Sequence, residues 1–98
     1  MTRDEAVRTL KEHDGEIRAR GVTRLALFGS LARGEAGQDS DVDVVVDIED
    51  GRKFSIIDHG SLRVMLCDIF GRETDVVVRS RLRLGFREGI ANESLTVF

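Results

Sequence analysis

Ten residues separate Gly29-Ser30 from Asp41-Val42-Asp43. The first pair is a small-residue turn. Gly29 lets the backbone come close to a phosphate, and Ser30 offers a hydroxyl and an N–H, to which the following turn adds further amide donors. The second group places two carboxylates one residue apart in the β-rich run Asp41-Val42-Asp43-Val44-Val45-Val46. Strand side chains alternate between faces. Asp41, Asp43, Val45 and Asp47 therefore point one way, and Val42, Val44, Val46 and Ile48 the other. Two carboxylates that close repel, and one takes up a proton unless a cation intervenes. Mg²⁺ is the natural cation, because it binds through one or two carboxylates together with phosphates and water. A third acid, Asp75, opens the run Asp75-Val76-Val77-Val78. On a neighbouring strand it would reach the same cluster, to share a second metal or to take the proton of an attacking hydroxyl. Taken alone, an Asp-x-Asp is a solvated strand edge and a Gly-Ser is a turn. Their spacing between two β-rich runs turns the reading towards a grip on a nucleoside triphosphate.

The elements that must position these groups follow from periodicity. Thr2 and Glu5 have capping-box spacing, and Ala6, Val7, Leu10 and Ile17 recur at helical intervals. They predict a helix over residues 3–19, weakened by Gly15 and closed near Gly21. Strands are expected over 22–28, 41–48 and 74–79, with a short one over 95–98. Residues 31–34 form one helical turn, 35–40 a polar loop and 49–52 a turn. Ser55 and Asp58 again have capping-box spacing. Leu62, Met65, Leu66, Ile69 and Phe70 then line one face of a helix that Gly71 stops. A last helix over 82–91 packs Leu82, Phe86 and Ile90. The order gives an α+β fold, a small mixed β-sheet with helices on one face.

Ninety-eight residues make one domain, 1–98, with a modest core. The net charge of −3, with no basic tract and no Trp or Tyr, indicates no dedicated nucleic-acid surface. No apolar run spans a membrane, and the N-terminus lacks a secretory signal. Cys67 is the one cysteine, which fits a reducing cytoplasm; it reads as a small core hydrophobe. His13 and His59 read as surface residues. Arg33 either touches phosphate or pairs with Glu35 or Asp39, and Asp39 reads as a loop residue. Asp47 and the Arg79, Arg81, Arg83, Arg87 series read as solvated.

Gly29, Ser30, Asp41, Asp43 and Asp75, in that order, resemble the signature of the nucleotidyltransferase superfamily that includes DNA polymerase β. Leu27-Phe28-Gly29-Ser30, Ala32-Arg33-Gly34-Glu35-Ala36, Ser40-Asp41-Val42-Asp43, Ile69-Phe70-Gly71-Arg72 and Thr74-Asp75-Val76-Val77 are similar to the minimal nucleotidyltransferases, or MNT domains, of prokaryotes. The resemblance implies catalytic and metal-binding roles for Asp41, Asp43 and Asp75, and nucleotide binding at Gly29, Ser30 and Arg33. It implies Mg²⁺ as cofactor, ATP as substrate and AMP as the transferred group. It further implies a HEPN ribonuclease toxin as partner, silenced by AMP transfer onto a tyrosine hydroxyl, so that the chain acts as an antitoxin. A core of this size needs an acceptor surface from another chain, so a homo- or hetero-oligomer is expected. The competing expectations are a small-molecule adenylyltransferase subunit, an antitoxin that acts by binding alone, and a nucleotide-sensing module.

Overall fold

The computed structural model describes residues 1–34 and 41–98, with Arg87 and Ala91 described through their backbone only. The expected polar loop, with Glu35 and Asp39, lies outside the described residues. Helices α1 (Arg3–Glu12) and α2 (Asp14–Ala19) lead into strand β1 (Val22–Phe28) and the single turn α3 (Gly29–Ala32). Strand β2 (Val42–Ile48), helix α4 (Ile56–Phe70) and strand β3 (Thr74–Val78) follow. A 3-10 turn (Arg79–Arg81), helix α5 (Leu84–Glu93) and strand β4 (Leu95–Thr96) complete the order.

The helix ends carry the expected signals. The Thr2 hydroxyl accepts from the Glu5 N–H at 3.1 Å and opens α1. The long N-terminal helix breaks at His13, not at Gly15. Gly15 sits inside α2 in open space, whereas Glu12-His13-Asp14 holds two residues of weak helix propensity at the break. At α4 the Ser55 hydroxyl accepts from the Asp58 N–H while the Asp58 carboxylate accepts from the Ser55 N–H, the reciprocal capping box. Gly71, at φ +67°, closes α4 in the left-handed region.

Four strands form one sheet in the order β3-β2-β1-β4. β1 runs antiparallel to β2 and β4, and β2 runs parallel to β3. The parallel pair is joined through α4, as a crossover requires. One face of the sheet carries Leu25, Leu27, Val42, Val44, Val46, Val76 and Val78, packed with Ala6, Leu10 and Ile17 of α1 and α2 and Leu62, Leu66 and Phe70 of α4. Leu10, Ile17, Leu25, Leu27, Leu62 and Leu66 are wholly buried, each stabilising the fold by roughly 1.5–3 kcal/mol. This is the expected mixed sheet, with α1, α2 and α4 over one face; the last helix, α5, borders the opposite face, where Phe28 and Val77 lie.

Further details differ from the sequence reading. The helical turn expected over residues 31–34 spans Gly29–Ala32, so it starts on the glycine itself. Val45 faces the carboxylate side, as strand parity requires, yet it is wholly buried, as is its β1 partner Ala26. The chain returns across that side after β3, through the 3-10 turn that touches β2. Asp47 is not a solvated residue, because its Oδ1 accepts from Arg79 Nε at 3.0 Å and both side chains are largely sheltered. Phe86 does not pack into the core but stays 69 % exposed on α5.

Candidate active site

β2 and β3 are locked in parallel register with Asp43 opposite Asp75, and β1 places Phe28 opposite Asp43 on its other side. Directly paired residues share a face, so Phe28, Asp43 and Asp75 form one row across three strands. Asp41 stands exposed one residue before β2 and begins the same face. The Phe28-Gly29 junction ends β1 beside Asp43. Gly29 has φ +75°, and a Cβ there would lie 2.5 Å from Asp43 Oδ2. The turn and the carboxylate are thus in contact only because residue 29 has no side chain. α3 starts at Gly29, and no side chain caps its first turn among the described residues. Its leading N–H groups lack intrahelical acceptors, as at any helix start.

Electrostatics single out Asp43. Its carboxyl is pushed above the usual carboxylate range, first by burial, then by the negative charges of Asp75 and Asp41, with Arg33 opposing. Asp43 therefore senses both other acids, and Arg33 is near enough to soften the repulsion. Arg33 also pairs with Glu93 at the end of α5, Nη1 to Oε2 at 3.5 Å. Glu35 and Asp39, the partners expected from sequence, lie outside the described residues.

The donor set is all carboxylate oxygen, the chemistry that Mg²⁺ prefers. Burial, and after it the charges of Asp75 and Asp41, raise the Asp43 carboxyl, and a bound cation would favour its ionised form. Among the described residues no three His, Cys, Asp or Glu side chains, Asp41, Asp43 and Asp75 included, are gathered so as to hold a metal ion together. The residues fit a metal that takes part of its shell from phosphate and water, and they do not fit one held by protein ligands alone.

Other chemistry-bearing residues have structural employment. His59 Nε2 lies 2.7 Å from the Val76 carbonyl and ties α4 to β3. Cys67 is half-buried, with its Sγ 3.8 Å from the Thr74 carbonyl. Arg81 donates to the Phe54 carbonyl and stacks over the Phe54 ring while staying exposed, so of the expected solvated series Arg79 is the one the structure shelters. An open, largely apolar groove of about 870 Å³ starts at Phe28 and Gly29 and runs under α5, lined also by Val77, Leu82, Phe86 and Ile90. The regular spacing of Leu82, Phe86 and Ile90 signalled this face but was indistinguishable from a core stripe.

The model of the nucleotidyltransferase domain family matches residues 5–97. MntA of Thermococcus cleftensis, a protein adenylyltransferase, is 36% identical over 98 residues, covering 99% of this chain and 97% of the relative. A solved structure assigned as a minimal nucleotidyltransferase superposes with a TM-score of 0.82 at 32% identity, covering 97% of this chain and 95% of that one. A chain from the solved complex of a tri-AMPylated HEPN toxin of Shewanella oneidensis with an MNT antitoxin shares the fold at a TM-score of 0.70 and 14% identity, over 92% of this chain and 69% of that one. No helix among the described residues is long and apolar enough to cross a membrane. With the Gly-Ser turn set against the carboxylate row, the chain belongs to the nucleotidyltransferase domain family, as a minimal nucleotidyltransferase of the polymerase β-like superfamily.

Proposed function

We propose that this enzyme, acting as one catalytic domain over residues 1–98 in the cytoplasm, transfers AMP from ATP to a tyrosine hydroxyl of a HEPN toxin and so acts as its antitoxin. The observation that carries the reading is the Asp43–Asp75 register beside the Gly29 turn. The kinship with a protein adenylyltransferase along almost the whole chain points to a protein acceptor.

Gly29 and Ser30 receive the triphosphate, with backbone N–H groups and the Ser30 hydroxyl as donors. Arg33 adds positive charge at the end of that turn. Asp41 and Asp43 would hold Mg²⁺, with Asp75 beside them. When bound, the cation neutralises phosphate charge and makes an acceptor hydroxyl more acidic. Tyrosine has an unperturbed pKa of about 10, so a base is needed at neutral pH. Asp75, more exposed than Asp43 and adjacent to it, takes the hydroxyl proton. The hydroxyl oxygen then attacks the α-phosphorus, its bond to the bridging oxygen breaks, and pyrophosphate leaves with that electron pair.

The test incubates the purified chain with ATP, Mg²⁺ and a HEPN toxin as acceptor, and weighs that protein by mass spectrometry. A gain of one or more AMP units that chelation by EDTA abolishes is the expected result. Neutralisation of the partner without any mass gain would replace this reading with inhibition by binding alone.

A further inference from the structure

Helix α4 is apolar on two opposite faces. Leu62, Leu66 and Phe70 go into the core. Ile57 and Val64, half a turn round, point away from it and are 82 % and 58 % exposed. Gly60, Ser61 and Asp68 complete the outward strip at helical spacing, and the strip borders one shallow, open depression of about 510 Å³.

Nothing within the chain accounts for this strip. A surface helix carries polar residues on its outward side, and a helix that is apolar all round is a covered one. Ile56 and Ile57 are β-branched, which lowers helix propensity, yet both stand exposed in the first turn of α4. Gly60 is exposed inside the helix, where glycine is weaker than alanine. Its φ is not positive, and a Cβ there would meet nothing within 4 Å among the described residues.

We infer that two copies of this chain dock through the outward face of α4, antiparallel, across a twofold axis that passes between Gly60 and Ser61. An isologous interface must be complementary to itself, and this strip is. Positions equally far from the axis meet, so Ile57 of one copy packs on Val64 of the other, twice over. The small residues at the centre let the two backbones approach. Charge follows the same symmetry. Lys53, exposed just before the helix, comes towards Asp68 of the other copy. Arg20 lies along the flank of α4 that Asp58, Ser61 and Met65 share, held by Ser61 Oγ at 2.6 Å and Met65 Sδ at 3.1 Å. Asp58 of the other copy arrives on that flank at that level. A parallel pair would instead set Asp68 against Asp68 and Lys53 against Lys53. From Ile57 to Asp68 the strip is about 17 Å long at 1.5 Å per residue, at the small end of specific interfaces, so the dimer is reversible. The carboxylate row lies on the other side of the sheet from α4, so both active sites stay open.

Sedimentation equilibrium over a concentration series tests this on the wild type, Val64→Glu, Lys53→Glu, Asp68→Lys and the double variant Lys53→Glu/Asp68→Lys. All three positions are exposed, and a cooperative melt checks that each variant folds. The expected result is a wild-type monomer–dimer equilibrium, with a tenfold or greater loss of association in Val64→Glu. Each charge reversal alone should cost several-fold, and the double variant should recover to near the wild-type value. A wild type that stays monomeric at every concentration would overturn the proposal and give the strip to a different protein. A dimer that Val64→Glu leaves intact would place the contact elsewhere, and a double variant that does not recover would overturn the antiparallel register.

Discussion

Gly29 and Asp43 touch across the end of β1 in a way that only glycine permits. The backbone of Gly29 is left-handed at φ +75°, and the position of an added Cβ falls 2.5 Å from Asp43 Oδ2. Both the torsion and the space exclude a side chain. Gly29→Ala should cost about 1–3 kcal/mol of stability, the scale of local backbone strain at such sites. It should cost activity more severely, because relief of the clash moves the carboxylate proposed to hold Mg²⁺. Urea denaturation gives the first quantity and AMP transfer the second. A variant as active as the wild type would mean that Asp43 need not sit where it does.

Asp43→Asn tests the electrostatics of the same pocket. The Asp43 carboxyl titrates above its ordinary value because of burial and the charges of Asp75 and Asp41. A raised carboxyl pKa in the folded state means that stability is fully present below the unfolded value and is lost as pH rises through the folded one. At pH 7 the ionised Asp43 therefore opposes folding. In the absence of divalent cation, Asp43→Asn should melt at the same temperature as the wild type or higher. That advantage should vanish in acid, once the wild-type carboxyl is protonated too. Mg²⁺ with a non-hydrolysable ATP analogue should raise the wild-type melting temperature by mass action and leave the variant nearly unmoved. A variant that melts lower than the wild type at pH 7 would contradict the repulsion.

Asp75 is separable from its neighbour because it pairs with Asp43 in register yet remains exposed. Asp75→Asn keeps size and shape and removes the proton acceptor. Nucleotide affinity should stay within a few fold, while the rate of AMP transfer falls by about 10²–10⁴, the usual contribution of a positioned base. Equilibrium titration and single-turnover transfer separate the two effects. Unchanged turnover would remove Asp75 from the chemistry.

What was legible in the sequence was whatever a short window could hold. The glycine-serine turn, the alternating acids of β2 and the Ser55–Asp58 box are each local, and each is found where spacing placed it. The position of β3 was a conditional inference, since nothing in Asp75-Val76-Val77-Val78 states which strand it joins; the α4 crossover decides it. Relationships across long separations were not legible. Asp47 reads as a solvated strand residue until Arg79 arrives 32 positions later. The ion pair of Arg33 with Glu93 joins distant parts of the chain, and neither local window announces it. Leu82, Phe86 and Ile90 have the period of a core helix, and period alone cannot tell a face that packs on protein from a face that borders an open groove.

The capping box of α4 should govern the acid limb of the stability curve. Ser55 and Asp58 bond reciprocally at 2.8 Å and 3.2 Å, and the Asp58 carboxyl is held below its ordinary value, first by the Ser55 backbone N–H and then by the Ser55 hydroxyl. A carboxyl pKa lowered by folding gives stability present above the unfolded value and lost as pH falls through the folded one. Ser55→Ala removes the hydroxyl half of the box and should cost about 1 kcal/mol at neutral pH, a normal cap loss. Asp58→Asn should shrink its own deficit relative to the wild type as pH falls below the carboxylate range, because protonation then disables the wild-type cap as well. Since α4 carries Leu62, Leu66 and Phe70 into the core and is the crossover that sets β3 beside β2, fraying at Ser55 should also weaken the register of Asp75 against Asp43. Chemical denaturation across pH, paired with AMP transfer at neutral pH, checks both consequences, and a flat Ser55→Ala difference with wild-type activity would confine the box to a surface role.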